Sequence, residues 1–147
     1  MMRRFLILAV CVMLIGVSKA HAADADAICG HWYTQQSKAL VEIYQCKDRY
    51  CGKIVWLKEP LNADGTVKRD IHNPDEIQRQ NPIIGLNLVS DFKFEGDDRW
   101  DSGRIYDPES GKTYACKLRL ERDALKVRGY VGLSLFGRTE VWQRKTD

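Results

Sequence analysis

Residues 112–120 read KTYACKLRL, and they alternate without a break. Tyr114, Cys116, Leu118 and Leu120 fall on one side of an extended chain. Thr113, Ala115, Lys117 and Arg119 fall on the other. A period of two is the mark of a strand with one face in a core. The stretch before it, Arg99 to Tyr106, is joined to it by Asp107-Pro108-Glu109-Ser110-Gly111, whose Pro and Gly suit a tight turn. The stretch after it, Leu125 to Val131, sets Leu125, Val127, Gly129 and Val131 on one face. Three neighbouring segments therefore read as a meander.

Working outward, Gly30 to Thr34, Lys38 to Gln45, Tyr50 to Leu57, Leu86 to Phe94 and Gly137 to Lys145 carry strand signals of similar length. About eight short strands with mostly short turns point to an all-β sandwich or barrel. Meandering order favours an antiparallel up-and-down barrel, which also leaves no open edges. Lys58 to Ile84 interrupts the pattern with Pro60, Pro74 and Pro82 and the turn Asp64-Gly65. Asn73-Pro74 resembles a helix start, with Asn73 as cap. The segment is expected to be a long loop with one short helix across an end of the barrel.

The N-terminus sets the expected compartment. Arg3 and Arg4, an apolar run from Phe5 to Val17, and Ala20-His21-Ala22 are the three parts of a cleavable secretory leader over residues 1–22. The run is too short to span a bilayer, which takes about 20 residues. Residues 23–147 are then one domain, with no membrane span after cleavage. The formal charge of +3 is carried by Arg3, Arg4 and Lys19, so the remainder has no net charge. Nucleic-acid binding needs a basic excess, and no nucleic-acid partner is expected. A periplasmic or secreted location follows from the leader.

Of five cysteines, Cys11 lies in the leader. An even count of four in an exported domain reads as disulfides. Cys46 and Cys51 flank a hairpin tip and are expected to pair, which leaves Cys29 with Cys116.

No catalytic constellation emerges. His72 lies near Asp70 and Asp75, but these read as solvated loop residues and helix-start acids rather than a metal site. Ser134 lacks the strand-turn-helix setting of a nucleophile elbow. No cofactor or metal is expected. Trp56, Tyr106, Tyr114 and Trp142 are aromatic strand residues of the kind that line a small barrel cavity, and Arg104 is a candidate clamp for a carboxylate head group.

Gly30-x-Trp32 at the first strand, with Arg144 near the other terminus, resembles the closed end of lipocalin-like barrels, where a basic side chain stacks on the indole. Cys46-x4-Cys51-Gly52-Lys53-Ile54-Val55-Trp56-Leu57, Asp70-Ile71-His72-Asn73-Pro74, Gly103-Arg104-Ile105-Tyr106-Asp107-Pro108, Gly111-Lys112-Thr113-Tyr114, Leu125 to Tyr130 and Phe136-Gly137-Arg138-Thr139 with Trp142 are similar to the signatures of the bacterial domain of unknown function 2147 family. That resemblance implies a lipocalin- or calycin-like barrel, export in a Gram-negative cell, and no established activity. The leading expectation is a binding protein holding a small hydrophobic or amphipathic molecule inside the barrel. The alternative is an envelope scaffold that uses the 58–84 loop, and an enzyme ranks third.

Overall fold

A computed structural model describes residues 24–146. The expected leader, residues 1–22, lies outside them. The strands are β1 (Gly30–Tyr33), β2 (Ala39–Cys46), β3 (Arg49–Leu57), β4 (Asn87–Gly96), β5 (Arg99–Asp107), β6 (Lys112–Glu121), β7 (Ala124–Tyr130) and β8 (Gly137–Arg144). Each pairs antiparallel with the next, and β8 returns to β1 to close the barrel. The up-and-down order read from the alternation is the order observed.

The two ends differ. β2–β3, β4–β5 and β6–β7 turn at one end through two-residue loops, closed by the pairs Cys46↔Arg49, Gly96↔Arg99 and Glu121↔Ala124. Asp97 and Asp98 both have positive φ, the backbone that a tight hairpin of right-handed twist requires. The long connections, including residues 58–86 and 131–136, all fall at the opposite end.

A 3-10 helix, Ala25–Ile28, plugs the hairpin end. It is tied to side chains that reach it from around the wall. Trp32 donates from Nε1 to Ile28 O at 2.8 Å, and Trp100 donates from Nε1 to Ala25 O at 3.1 Å. Tyr50 donates its hydroxyl proton to Asp26. Arg144 stacks over Trp32, 4.1 Å from the ring centroid, and donates to the carbonyls of Cys29 and Ala27. The expected Trp–Arg stack is therefore present, and its guanidinium also satisfies backbone acceptors that the plug would otherwise bury unpaired.

Cys46 and Cys51 form the expected disulfide across the β2–β3 hairpin. Cys29 and Cys116 do not pair; both are free thiols. Cys29 follows the plug at the closed end, whereas Cys116 is fully buried halfway along β6, where it faces Gly103 and Gly129 across the ladder. Cysteine parity ignores this separation.

The 58–86 segment is ordered by its own ladder, with bridges Leu61↔Val67 and Arg69↔Pro82. Its helix is the 3-10 turn Glu76–Gln80, capped by Asp75, not Asn73. Asn73 instead accepts from the amide of Asp75.

Candidate functional site

Paired residues on neighbouring strands project to the same side of the sheet, so the register identifies what lines the barrel. One inward row runs Ile43, Gly52, Val89, Ile105, Tyr114. Another runs Gly103, Cys116, Gly129, Arg138. A third runs Phe94, Trp100, Leu118, Val127, Glu140.

At the closed end the interior is solid. Trp32, Trp100, Leu125 and Trp142 are 0–1% exposed. Glycines in the inward rows do not open a cavity higher up, because larger neighbours occupy the space beside them. A Cβ on Gly103 would lie 2.2 Å from the Phe92 ring, and one on Gly52 would lie 2.7 Å from Val89. A Cβ on Gly129 would lie 3.3 Å from the Ile105 methyl. The barrel is thus packed by its own side chains at least to the level of Ile105.

Towards the open end the inward rows become accessible. Ile105, Tyr114, Gly129 and Glu140 are half-buried, and Arg138 is exposed. Glu140 accepts a hydrogen bond from Trp142 Nε1 at 3.2 Å, which fixes one carboxylate oxygen on the packed floor. Cys116 lies in this region as a buried thiol. Burial, reinforced by the Asp101 charge, pushes it up to about 12, so it is a protonated, small apolar group at neutral pH. The accessible inward side chains at this end thus comprise an aliphatic, a phenol, a carboxylate and a guanidinium.

The five residues nominated from sequence are scattered. Tyr114 faces inward near the open end. Trp142 points inward but fills the closed end. Trp56 is turned out: a β-bulge near Leu40/Val41 sets it opposite Leu40, and its ring meets Tyr33 edge-on at 6.2 Å. Tyr33 alternates with the inward Trp32, so this aromatic pair lies on the outer face. Arg104 is also outside, 3.3 Å from Asp91. Neither lines the interior: Arg104 has the outer parity of β5, and Trp56, which shares the parity of inward Gly52 and Ile54, is turned out by the bulge. His31 faces Glu42 across β1–β2.

Tyr106 faces outward as well, into a second structure that sequence reading missed. Its hydroxyl donates to Asp70 Oδ1 at 2.7 Å, and Asn73 donates to Asp70 Oδ2 at 2.6 Å. Asp70 is fully buried, contrary to its reading as a solvated loop acid. Burial and the Asp70 hydrogen bond push the Tyr106 phenol up to about 12. The same loop is pinned at Gly111, whose α-carbon approaches the backbone of His72 so closely that a Cβ would lie 2.0 Å from His72 O. The loop is therefore clamped to the rim beside β5, on that strand's outer side. A cavity of about 510 Å³ lies between it and the wall, bordered by Asn81, Leu86, Asn87 and Tyr106.

Among the described residues no group of three His, Cys, Asp or Glu side chains is placed to hold a metal ion. No helix among them is long and apolar enough to cross a membrane.

The model of the family described as "Uncharacterized protein conserved in bacteria (DUF2147)" matches residues 30–144. A solved structure, protein HP1028 of the human pathogen Helicobacter pylori, described as belonging to the lipocalin family, is 23% identical. The match covers 81% of this chain and 83% of that one with a TM-score of 0.70. That likeness extends to the fold. No curated protein matches.

Proposed function

The chain belongs to the bacterial family DUF2147, whose model spans residues 30–144, and from that premise we propose that it is an exported protein that binds a small, partly apolar molecule through the open end of its barrel. The observation that carries this reading is the gradient along the interior. Inward side chains are sealed at the closed end and half-exposed at Ile105, Tyr114 and Glu140. In a closed barrel one end accessible and one end plugged is the arrangement of a cup, and an eight-stranded wall is just wide enough for one small guest. Ile105 and Tyr114 offer apolar area for the body of the guest. Glu140 offers a carboxylate oxygen to an N–H or O–H at its leading end, and Arg138 at the lip suits an anionic group further out.

The packing below Ile105 limits how far a guest enters. It sits in the upper part of the barrel with part of its length outside. The export half of the reading is supported by the leader pattern of residues 1–22 and by the Cys46–Cys51 bridge, since disulfides persist in oxidising compartments. A periplasmic or secreted location fits both.

The test is a titration of residues 23–147 with cis-parinaric acid, followed by a panel of other fatty acids, retinoids and tetrapyrroles. Saturable one-to-one binding is expected for at least one class, weakened at least tenfold by Ile105→Glu and by Tyr114→Ala. Silence across the panel, or binding indifferent to both substitutions, removes the mouth as the site. The scaffold reading keeps one specific support, the apolar exposure of Ile71 and Ile77 on the 58–84 loop. It predicts that deleting residues 62–81 abolishes capture of a partner while the barrel stays folded.

A further inference from the structure

The loop from β7 to β8 is polar only at Ser134. Val131, Leu133, Leu135 and Phe136 are 69–77% exposed, an arrangement that a soluble surface normally avoids. The loop is not loose. Arg128, on the outer wall, donates from Nε to Ser134 O at 2.8 Å and from Nη2 to Leu135 O at 3.1 Å. Lys117, also on the outer wall, donates to Ser134 Oγ at 3.0 Å. The backbone of the 3-10 turn Ser134–Phe136 is thereby held from the wall side.

The wall beneath is cationic. A β-bulge between Trp100 and Gly103 places Asp101 and Ser102 opposite Lys117 alone. A groove of about 310 Å³ opens there, bordered by Arg99, Asp101, Lys117, Arg119, Lys126 and Arg128. Part of this charge is matched locally. Asp97 lies 3.3 Å from Arg99, and Glu121 lies 3.6 Å from Arg119 and 2.9 Å from Lys126. Among the described residues Lys117 and Arg128 have no carboxylate partner, so the patch keeps a positive surplus. Outside the leader the chain as a whole has none. The surplus therefore sits where the apolar loop sits.

We propose that the β7–β8 loop and the basic wall beneath it form a docking surface for an anionic lipid bilayer. The four apolar side chains enter the boundary below the headgroups, and the groove's cations meet the phosphates. Apolar insertion and attraction to anionic lipid add in such contacts. The charge complementarity favours this occupant over a second copy of the chain, which would bring the same positive surplus to the interface. The proposal is independent of what the barrel binds.

The experiment is co-sedimentation of residues 23–147, disulfide intact, with vesicles of phosphatidylcholine containing 30 mol% phosphatidylglycerol and with vesicles of phosphatidylcholine alone. Binding to the anionic vesicles is expected to be at least tenfold tighter. Leu133→Ser with Leu135→Ser and Phe136→Ser should reduce it at least tenfold without changing the far-ultraviolet circular dichroism, because none of these side chains contributes to the core. Arg119→Gln with Lys126→Gln should reduce it at least fivefold, given roughly fivefold per cation near a charged bilayer. Equal binding to both vesicles, no binding to either, or full binding by the serine variant overturns the proposal. A dimer in sedimentation velocity that the serine variant dissolves, without vesicle binding, assigns the surface to a second copy and overturns it as well.

Discussion

Replacing Gly103 by Ala tests whether the barrel is filled by its own side chains. The added methyl would lie 2.2, 2.3 and 2.5 Å from three atoms of the Phe92 ring, where carbon atoms normally rest about 3.5–4.0 Å apart. The ring must retreat by roughly 1.3 Å at the nearest atom. Phe92 is 1% exposed, and a core packed to crystal-like density offers no empty space for that movement. If the ring stays, overpacking costs about 1–3 kcal/mol. If it swings out, its burial is lost, again about 1.5–3 kcal/mol. Stiffening of the unfolded chain by Ala returns about 0.4–1 kcal/mol, so a net loss of about 1.5 kcal/mol is expected. Urea unfolding followed by Trp fluorescence would read this as a midpoint lowered by about 0.7 M, taking a slope near 2 kcal/mol/M. Gly52→Ala, with its nearest atom at 2.7 Å, should cost less, and Gly129→Ala, at 3.3 Å from Ile105, should be close to neutral. Adding Phe92→Leu should relieve part of the Gly103→Ala loss, giving a favourable coupling of about 1 kcal/mol. A flat series across the three glycines, or a harmless Gly103→Ala, would refute the packed interior and move the guest's seat deeper.

Arg144→Met removes the stack on Trp32 and both donors to the plug carbonyls, and should lower stability by about 2–3 kcal/mol in a thermal melt. Tyr106→Phe leaves buried Asp70 with Asn73 alone; a loss of about 1–3 kcal/mol is expected, with faster amide exchange confined to residues 58–86. In the parent protein the folded Tyr106 phenol keeps its proton to about 12, while the unfolded phenol loses it near 10. Its contribution is therefore complete below pH 10 and declines between pH 10 and 12. Tyr50 is pushed the same way by burial and by Asp26, so Tyr106→Phe should shallow the alkaline decline without abolishing it. Thiol titration of residues 23–147 in denaturant without reductant should find the two thiols of Cys29 and Cys116, with Cys116 unreactive in the native state. A count of zero would reinstate the second bridge. Reducing Cys46–Cys51 should cost about 2 kcal/mol by loop closure.

The strands were legible because their signal is local. Alternation in residues 112–120 needs nothing beyond neighbours, and the hairpin order follows from short turns. The interior was less legible because facing depends on bulges and register. Residue type nominated Tyr106 and Arg104, yet they flank Ile105 and share the opposite parity. Trp56 lost its place to the β2–β3 bulge. Glu140 was missed although a signal existed: Arg138, Glu140, Trp142 and Arg144 alternate on one face, and Trp142 marks that face as inward. Asp70 left no such trace. Its burial comes from Tyr106, thirty-six positions away, and no local pattern reports a clamp of that reach.

The asymmetry of the barrel ends narrows where a partner can act. At the hairpin end every inward group is committed: Trp32 and Trp100 to the plug's carbonyls, Tyr50 to Asp26, Arg144 to both indole and backbone. Recruiting any of them for binding would leave a buried polar group unpaired, at about 1–3 kcal/mol each. At the open end Arg138 and the β7–β8 side chains have no such commitment to the core. A guest seated above Ile105 projects past Arg138 towards the strand that leads into the apolar loop. If the loop rests on lipid, that projection lies at the bilayer boundary, and a partly apolar guest could pass between cup and membrane without crossing water. Transfer of parinaric acid from protein to vesicles should then depend on collision, its rate rising with vesicle concentration and falling in the Leu133→Ser, Leu135→Ser, Phe136→Ser variant. A rate independent of vesicle concentration would mean that the guest leaves through solvent, and that cup and docking loop act separately.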